Sequence, residues 1–379
     1  IIYYGLRIFS PSWFLPSTLI LCAIMSISTG SSWTTIGTIG IAFLGIGYGL
    51  GIPVGITAGA IICGAYFGDK QSPVSDSTNF AAAVAKTDLY AHTRSMIYST
   101  APSFVISLII FTIIGARYHI ASIDESQLLQ ITSGIQQVFK LTPILLIPLV
   151  IMTVMIIKKM PAIPTMLIAI GIAILEMFIF QHQSFSEILS YMYSGFISNT
   201  GNAAVDRLLT RGGLTSMTST VALMFMSLMM AGLMQSTNIM DSVLNKLEKA
   251  TSSQFGLIAT TLISCILLSY FAADPYLAML IPANVLGKKF DDLGLDRSVL
   301  SRTLEDGATI ICPMVPWGTN GIYCASTLGI SVLAYLPYYF MGFLTPLFSL
   351  VLAFTGIGIK KRKKETENAW FKKWAFKYK

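Results

Sequence analysis

The stretch Ser72-Pro73-Val74-Ser75-Asp76-Ser77-Thr78-Asn79 lies between the apolar run Ile52 to Phe67 and the alanine-rich run Phe80 to Ala85. It places a carboxylate, four hydroxyls and an amide where the hydropathy calls for membrane. The proline and the serine-rich turn release backbone carbonyls there, and non-helical backbone at membrane depth is tolerated only when buried in protein or lining a cavity. Insertion scales set the cost of a mid-membrane Asp at about 2.5 to 3.5 kcal/mol, so a retained one is a functional candidate, most simply as a holder of a cation or a proton. The first expectation is ion transport.

The rest of the chain supplies the membrane setting. Hydrophobic residues make up 54% of 379 positions and charged ones 11%, against roughly a quarter charged in soluble domains. Apolar runs recur from Phe14 to Ile27, Ile36 to Leu50, Ile97 to Gly115, Pro143 to Ile157, Ala162 to Phe180, Met217 to Leu233, Phe255 to Ala273 and Val332 to Phe354. Several fall short of the roughly 20 residues a full span needs, and short or interrupted segments in corresponding places of two halves are expected of discontinuous helices in secondary transporters. The expected fold is therefore an all-α polytopic membrane protein built of two inverted repeats with discontinuous helices and re-entrant hairpins.

The net charge of +7 does not mark a nucleic-acid surface. The segment Lys360 to Lys379 holds nine Lys/Arg and two Glu, which accounts for all of it. By the positive-inside rule this tail, with Trp370, Phe371 and Trp374 at headgroup level, predicts a cytoplasmic C-terminus. Cys22, Cys63, Cys265, Cys312 and Cys324 have no metal-type spacing and are expected as free thiols. The chain starts at Ile1 without a signal-peptide pattern, which is read as a start inside a longer protein.

Cys22 and Cys265 are 243 positions apart, and at that offset Ser26 matches Ser269 and Gly51 matches Gly294. After a shift of six, Cys63 matches Cys312, and further on Thr78-Asn79 matches Thr319-Asn320. Two related halves follow, each with an early break (Ser28 to Thr35; Ala272 to Tyr276) and a late one (Ser72 to Asn79; Pro313 to Gly321). Asp274 falls opposite Ser31. The expected division is an N-terminal repeat over 1–142, connecting helices over 143–254, a C-terminal repeat over 255–355 and a basic tail over 356–379. Asp241 to Thr251 reads as an amphipathic interfacial helix.

Ser28-Thr29-Gly30-Ser31-Ser32-Trp33-Thr34-Thr35, Gly64 through Asn79 and Pro313-Met314-Val315-Pro316-Trp317-Gly318-Thr319-Asn320-Gly321 resemble the strings of the NhaC family of bacterial sodium/proton antiporters, which includes exchangers of malate for lactate coupled to protons and sodium. The resemblance implies an ion-transporter fold with a mobile transport domain in a bacterial cytoplasmic membrane, and Ser/Thr/Asn turns at Ser77-Thr78-Asn79 and Gly318-Thr319-Asn320 that build sodium and substrate sites. Gln71 and Phe80 stand where Met and Leu are common in that family.

Asp76 is the expected coupling carboxylate, because sodium prefers hard oxygen ligands and Ser75, Thr78 and Asn79 supply more within four positions; its structural alternative is a helix cap for Ala81 to Ala85. Sodium is assigned to Asp76, Thr78 and Asn79. Asp274, ahead of Pro275, is the expected second acid, and Asp69 beside Lys70 reads equally as a third acid or an interfacial anchor. Ser31, Ser32, Thr34, Ser77, Thr319 and Asn320 complete the candidate set. Glu305 and Asp306 either line the cytoplasmic approach or stand as favourable charges at the start of a helix, the second reading being preferred; Glu176 reads as a bundle-facing residue, and His92, His119 and His182 as residues of polar connections. No HExxH, phosphate loop or GxSxG elbow occurs, so an enzyme is the weakest class. The expected function is exchange of sodium for protons through competition for one carboxylate, with malate/lactate exchange as the alternative. No cofactor is expected beyond the transported sodium and protons. Expected partners are sodium, protons, small carboxylates and membrane lipid, with a homodimer allowed and no nucleic acid.

Overall fold

The computed structural model describes residues 2–118, 133–237 apart from 159, 161, 203–204, 207–208 and 211, and 252–361. His119, the stretch Asp241 to Thr251 and all but the first two residues of the Lys360 to Lys379 tail lie outside them. The regular elements of the described residues are helices, with an isolated antiparallel bridge between Leu295 and Lys361. The helices are α1 (Ile2–Ile8), α2 (Pro11–Thr29), α3 (Ser32–Thr35), α4 (Ile41–Gly49), α5 (Val54–Gln71), α6 (Asp76–Ala85), α7 (Leu89–Ala116), α8 (Ile147–Ile157), α9 (Ala162–Phe180), α10 (Phe185–Ser194), α11 (Thr218–Ser236), α12 (Gln254–Ala272), α13 (Pro275–Asp292), α14 (Arg297–Gly307), α15 (Thr319–Leu328), α16 (Val332–Tyr335) and α17 (Phe340–Thr355). Among the described residues four stretches are long and apolar enough to cross a membrane, Pro11–Thr29, Leu89–Ala116, Leu214–Met234 and Gln254–Ala272, and a fifth is formed if α15 and the 84° bend to Val332–Tyr338 count as one broken span. The protein is an all-α polytopic membrane protein.

Helix α7 shows how the sequence dictates this arrangement. Ile97, Val105, Ile109 and Ile113 are about half exposed and form its outer face. His92, Ser95, Ser99, Ser103 and Ser107 recur at three- and four-residue spacing and are all buried, which is the spacing of one helical face. Ser103 and Ser107 donate to the carbonyls four residues back, each at 2.7 Å, so the hydroxyls are satisfied within the helix and leave a small, flat surface for packing. The polar face is inside and the apolar face outside, as lipid requires.

Close approach positions α2 on α5. A Cβ added at Gly64 would meet the Leu19 carbonyl and the Cys22 side chain, and one at Gly68 would meet the Ala23 carbonyl and Ser26, so the Gly-x-x-x-Gly spacing lets the backbones touch. Ser26 Oγ donates to the Ala65 carbonyl at 2.5 Å and Ser72 Oγ to the Ile27 carbonyl at 2.8 Å. The halves interlock. The core around Leu19, Ile61 and Tyr66 includes Ile310, Val315 and Tyr339, and the core around Leu268, Met279 and Leu304 includes Ala81 and Ala85 from α6.

A buried ion pair ties α5 to α14. Lys70 Nζ lies 2.9 Å from Asp306 Oδ1, with both side chains 0% exposed. Glu305 and Asp306 therefore do not begin a helix: they occupy the last turn of α14 and face inward, because their helix is packed on its polar side. Glu176 is also buried, at 8% exposure.

Two stability outcomes are expected. Gly64→Val should destabilise the protein by about 1–3 kcal/mol through overpacking, read as a lowered thermal midpoint in detergent, whereas Gly171→Ala, where an added Cβ meets nothing within 4 Å, should not lower it; an unchanged Gly64→Val midpoint would mean that α2 and α5 are not in this contact. Lys70→Met alone should cost about 3–5 kcal/mol, since it strands a buried carboxylate, and Lys70→Met with Asp306→Leu should recover most of that loss. Additive losses in the double variant would contradict a direct pair.

Candidate functional site

Four interruptions of the helices meet. The first follows α2, which ends on Gly30 in the left-handed region at φ 67°. A Cβ at Gly30 would lie 2.9 Å from the Val74 carbonyl carbon and 3.0 Å from the Ser75 nitrogen, so glycine serves both the turn and the approach of the second break. Ser31 then caps α3, accepting from the Thr34 N–H at 3.1 Å. The second break follows α5, where the Ser72 N–H folds back to the Asp69 carbonyl at 3.1 Å and Pro73 prevents continuation.

Asp69 lies between these two breaks. Ser32 donates to its Oδ2 and Ser75 to its Oδ1, each at 2.6 Å, and the residue is 5% exposed. Two hydroxyl donors satisfy a carboxylate without neutralising it.

The third break follows α12. Ala273 takes left-handed φ 56° and Asp274 caps α13, accepting from the N–H groups of Tyr276 and Leu277 at 2.9 and 3.0 Å, with Pro275 in the first turn, where a missing N–H costs nothing. The sequence offset of 243 thus pairs two like breaks, Gly30-Ser31 and Ala273-Asp274. The fourth break precedes α15, and the Thr319 N–H donates to the Ala273 carbonyl at 3.0 Å.

Contacts between the halves cross over. The Tyr276 hydroxyl donates to Asp76 Oδ2 at 2.7 Å, and the Trp33 Nε1–H donates to Asn320 Oδ1 at 2.8 Å. Trp33 stacks on Tyr323 at 4.2 Å between centroids, and the Tyr323 hydroxyl donates to the Trp33 carbonyl at 2.9 Å. Each early break therefore touches the late break of the other half.

These elements enclose a cavity of about 360 Å³ whose wall carries Asp69, Asp76 and Asp274, with Ser31, Ser32, Ser77, Thr319 and Asn320 from the predicted set and Trp33, Tyr66, Tyr276 and Thr309 beside them. Among the described residues no Lys, Arg or His lines it. Asp76 is exposed there, in the first turn of α6, where a negative charge is favoured by the helix dipole.

The remaining predicted residues stand behind the wall. Ser75 backs Asp69. The Thr78 hydroxyl donates to the Asp69 and Lys70 carbonyls at 3.3 and 3.4 Å, and the Asn79 amide donates to the Pro73 and Ser75 carbonyls at 2.9 and 2.6 Å, so both brace the turn. Thr34 contributes its carbonyl to the Thr38 hydroxyl at 2.6 Å and takes no place in the wall.

Directly behind the wall, His92 and Glu305 form a buried pair that their separate positions in the sequence did not reveal. His92 is not in a loop: it sits in α7, 0% exposed, with Nε2 2.8 Å from Glu305 Oε2 and Nδ1 2.7 Å from Ser301 Oγ. Glu305 Oε1 accepts from Ser77 Oγ at 3.2 Å. The available signal was the single polar face that His92 shares with Ser95, Ser99, Ser103 and Ser107.

The model of the Na+/H+ antiporter family matches residues 64–357. The chain is similar to the Na(+)/H(+) antiporter NhaC of Alkalihalophilus pseudofirmus, 37% identical over 364 residues, covering 96% of this chain and 78% of that protein. It is as similar to the malate-2H(+)/Na(+)-lactate antiporter of Bacillus subtilis, at 37% over 369 residues, 97% of this chain and 79% of the relative. The arginine/ornithine antiporter ArcD of Halobacterium salinarum is also 37% identical, over 362 residues, 94% of this chain and 74% of the relative. With the matched region taking in Asp69, Asp76, Asp274 and both buried pairs, the chain belongs to the Na+/H+ antiporter family and is a membrane antiporter rather than an enzyme.

Proposed function

We propose that the cavity exchanges sodium for protons, with Asp76 and Asp274 as the acids that receive sodium and Asp69 as the acid that holds the exchanged proton. The observation that carries this reading is the charge of the wall: three carboxylates and no basic side chain among the described residues. Sodium takes hard oxygen ligands, and Thr319 and Asn320 add a hydroxyl and an amide oxygen to the same wall. Lys70, the basic residue nearest in sequence to Asp69, is directed to Asp306 at 2.9 Å and offers nothing to a substrate carboxylate.

Competition enforces the exchange. A cation in the cavity stabilises the ionised acids and a proton neutralises them, so each ligand lowers the affinity for the other by the same factor. The crossed contacts Tyr276 to Asp76 and Trp33 to Asn320 join the two halves across the site, as expected where one repeat-built bundle moves against another and exposes the site to alternate sides. The matched breaks at Gly30-Ser31 and Ala273-Asp274 support an inverted-repeat arrangement, and Lys360 to Arg362 with the basic residues after them support a cytoplasmic C-terminus.

The intact protein in proteoliposomes should move protons when sodium is added without any organic substrate, and Asp76→Asn should abolish the movement. A response that requires malate and lactate, or arginine and ornithine, would assign the cavity to an organic substrate instead. Raising sodium tenfold above its dissociation constant should shift the pH of half-maximal exchange downward, by about one unit when sodium on Asp76 and Asp274 fully excludes the proton on Asp69; a midpoint independent of sodium would rule out this coupling.

A further inference from the structure

A single line of side chains leads from Asp69 through Ser77, at the cavity wall, to Glu305 and His92 behind it. Ser75 Oγ lies 2.6 Å from Asp69 Oδ1 and 3.1 Å from Ser77 Oγ. Ser77 Oγ lies 3.2 Å from Glu305 Oε1, Glu305 Oε2 lies 2.8 Å from His92 Nε2, and His92 Nδ1 lies 2.7 Å from Ser301 Oγ. All of these residues are buried, and Ser75, Glu305, His92 and Ser301 are 0% exposed.

Counting protons shows what the line can do. Between Asp69 and Glu305 there are three contacts but only two hydroxyl protons. With both acids ionised, Ser75 donates to Asp69 and Ser77 donates to Glu305, and the two hydroxyl oxygens face each other at 3.1 Å with no proton between them. One further proton on either acid completes the line. On Asp69, it orients the donors as Asp69 to Ser75 to Ser77 to Glu305; on Glu305, every donor is reversed. The two arrangements differ by one proton crossing each contact, so a net proton passes from Asp69 to Glu305 and neither serine is left charged. His92 can then accept that proton at Nε2, leaving an imidazolium paired with the Glu305 carboxylate. It sits one helical turn from Asp88, the exposed residue that caps α7.

We propose that Ser75, Ser77, Glu305 and His92 form a proton relay that loads and unloads Asp69 from the side of Glu305 and His92, which line no part of the cavity taken by sodium. The proposal rests on the sodium/proton reading above. The surrounding charges suit the role. Asp306 is neutralised by Lys70, and Arg302 donates to the Ser95 and Gly358 carbonyls at 3.4 and 3.3 Å; these three are the other fully buried charged side chains among the described residues. On the cavity side the facing acids are Asp76 and Asp274.

The test separates proton coupling from sodium handling in the intact reconstituted protein. Sodium-gradient-driven proton movement and sodium/sodium counterflow are measured for His92→Gln, Ser77→Ala and Ser77→Thr over a range of pH. The relay predicts that His92→Gln and Ser77→Ala slow proton-coupled exchange by about tenfold or more and change its pH profile. Counterflow should stay within about twofold of wild type in His92→Gln, and Ser77→Thr, which keeps the hydroxyl, should restore coupled exchange. Equal loss of both activities in His92→Gln and Ser77→Ala, or an unaltered pH profile in both, would overturn the relay and leave these residues a structural role. Wild-type protein that moves no protons on sodium addition would refute the underlying sodium/proton reading, an outcome visible before any variant is compared.

Discussion

The hydrogen bonds from Ser32 and Ser75 to Asp69 are the contacts on which the rest of the site depends. A broken helix inside a membrane exposes carbonyls and amides that lipid cannot satisfy, so a break persists only if another polar element meets it. Here two breaks meet each other and share one carboxylate. The αL turn at Gly30, the fold-back of Ser72 onto Asp69 and the close packing of α2 on α5 at Gly64 and Gly68 all bring Ser32 and Ser75 to the same side chain. Loss of the carboxylate would leave both hydroxyls directed at an empty point in a low-dielectric interior, where an unsatisfied polar group is costly.

The charges beneath the cavity obey a related constraint. Burying an isolated ion is prohibitive, and a buried pair is tolerated when its geometry is close. Lys70 and Asp306 form a direct pair at 2.9 Å. Glu305 has a hydroxyl on one oxygen and an imidazole on the other. The difference in partners is a difference in chemistry: a lysine paired to an aspartate fixes charge, whereas a carboxylate between a serine and a histidine has two places to put a proton. The same turn of α14 thus supplies a static anchor at Asp306 and an exchangeable group at Glu305.

How much of this was legible beforehand depended on whether a signal lay along the chain or across it. The Ser72 to Asn79 break announces itself locally, because proline and clustered hydroxyls interrupt an apolar run, and Asp274 ahead of Pro275 does the same in the second half. The 243-residue offset could align Ser31 with Asp274 because both cap the helix that follows a left-handed turn. Position along the chain did not reveal which side chains face the cavity: Thr78 and Asn79 carry the right chemistry but turn to backbone carbonyls at 2.6 to 3.4 Å. Lys70 and Asp306 are 236 positions apart and His92 and Glu305 are 213 apart, and only packing brings them together. His92 looked like a loop residue because its neighbours Asp88, Arg94 and Thr93 are polar, and the inward serine stripe that places it on a helix becomes persuasive once α7 is known to turn its polar side to the bundle.

Asp76 shows how occupancy of the site reaches both halves. Its carboxylate belongs to the late break of the first half, yet Oδ2 is held by the Tyr276 hydroxyl from the early break of the second. A cation that draws on this carboxylate competes with the tyrosine for the same oxygen, and a proton placed on it reverses the donor or removes the bond. Either ligand therefore alters a contact that spans the two halves, while the reciprocal contact, Trp33 to Asn320, involves no titrating group and does not respond to a proton. One crossing responds to protonation and the other does not. That asymmetry gives the cavity a proton-sensitive edge and a proton-insensitive one, so protonation has a direction in which to move the breaks rather than merely loosening them.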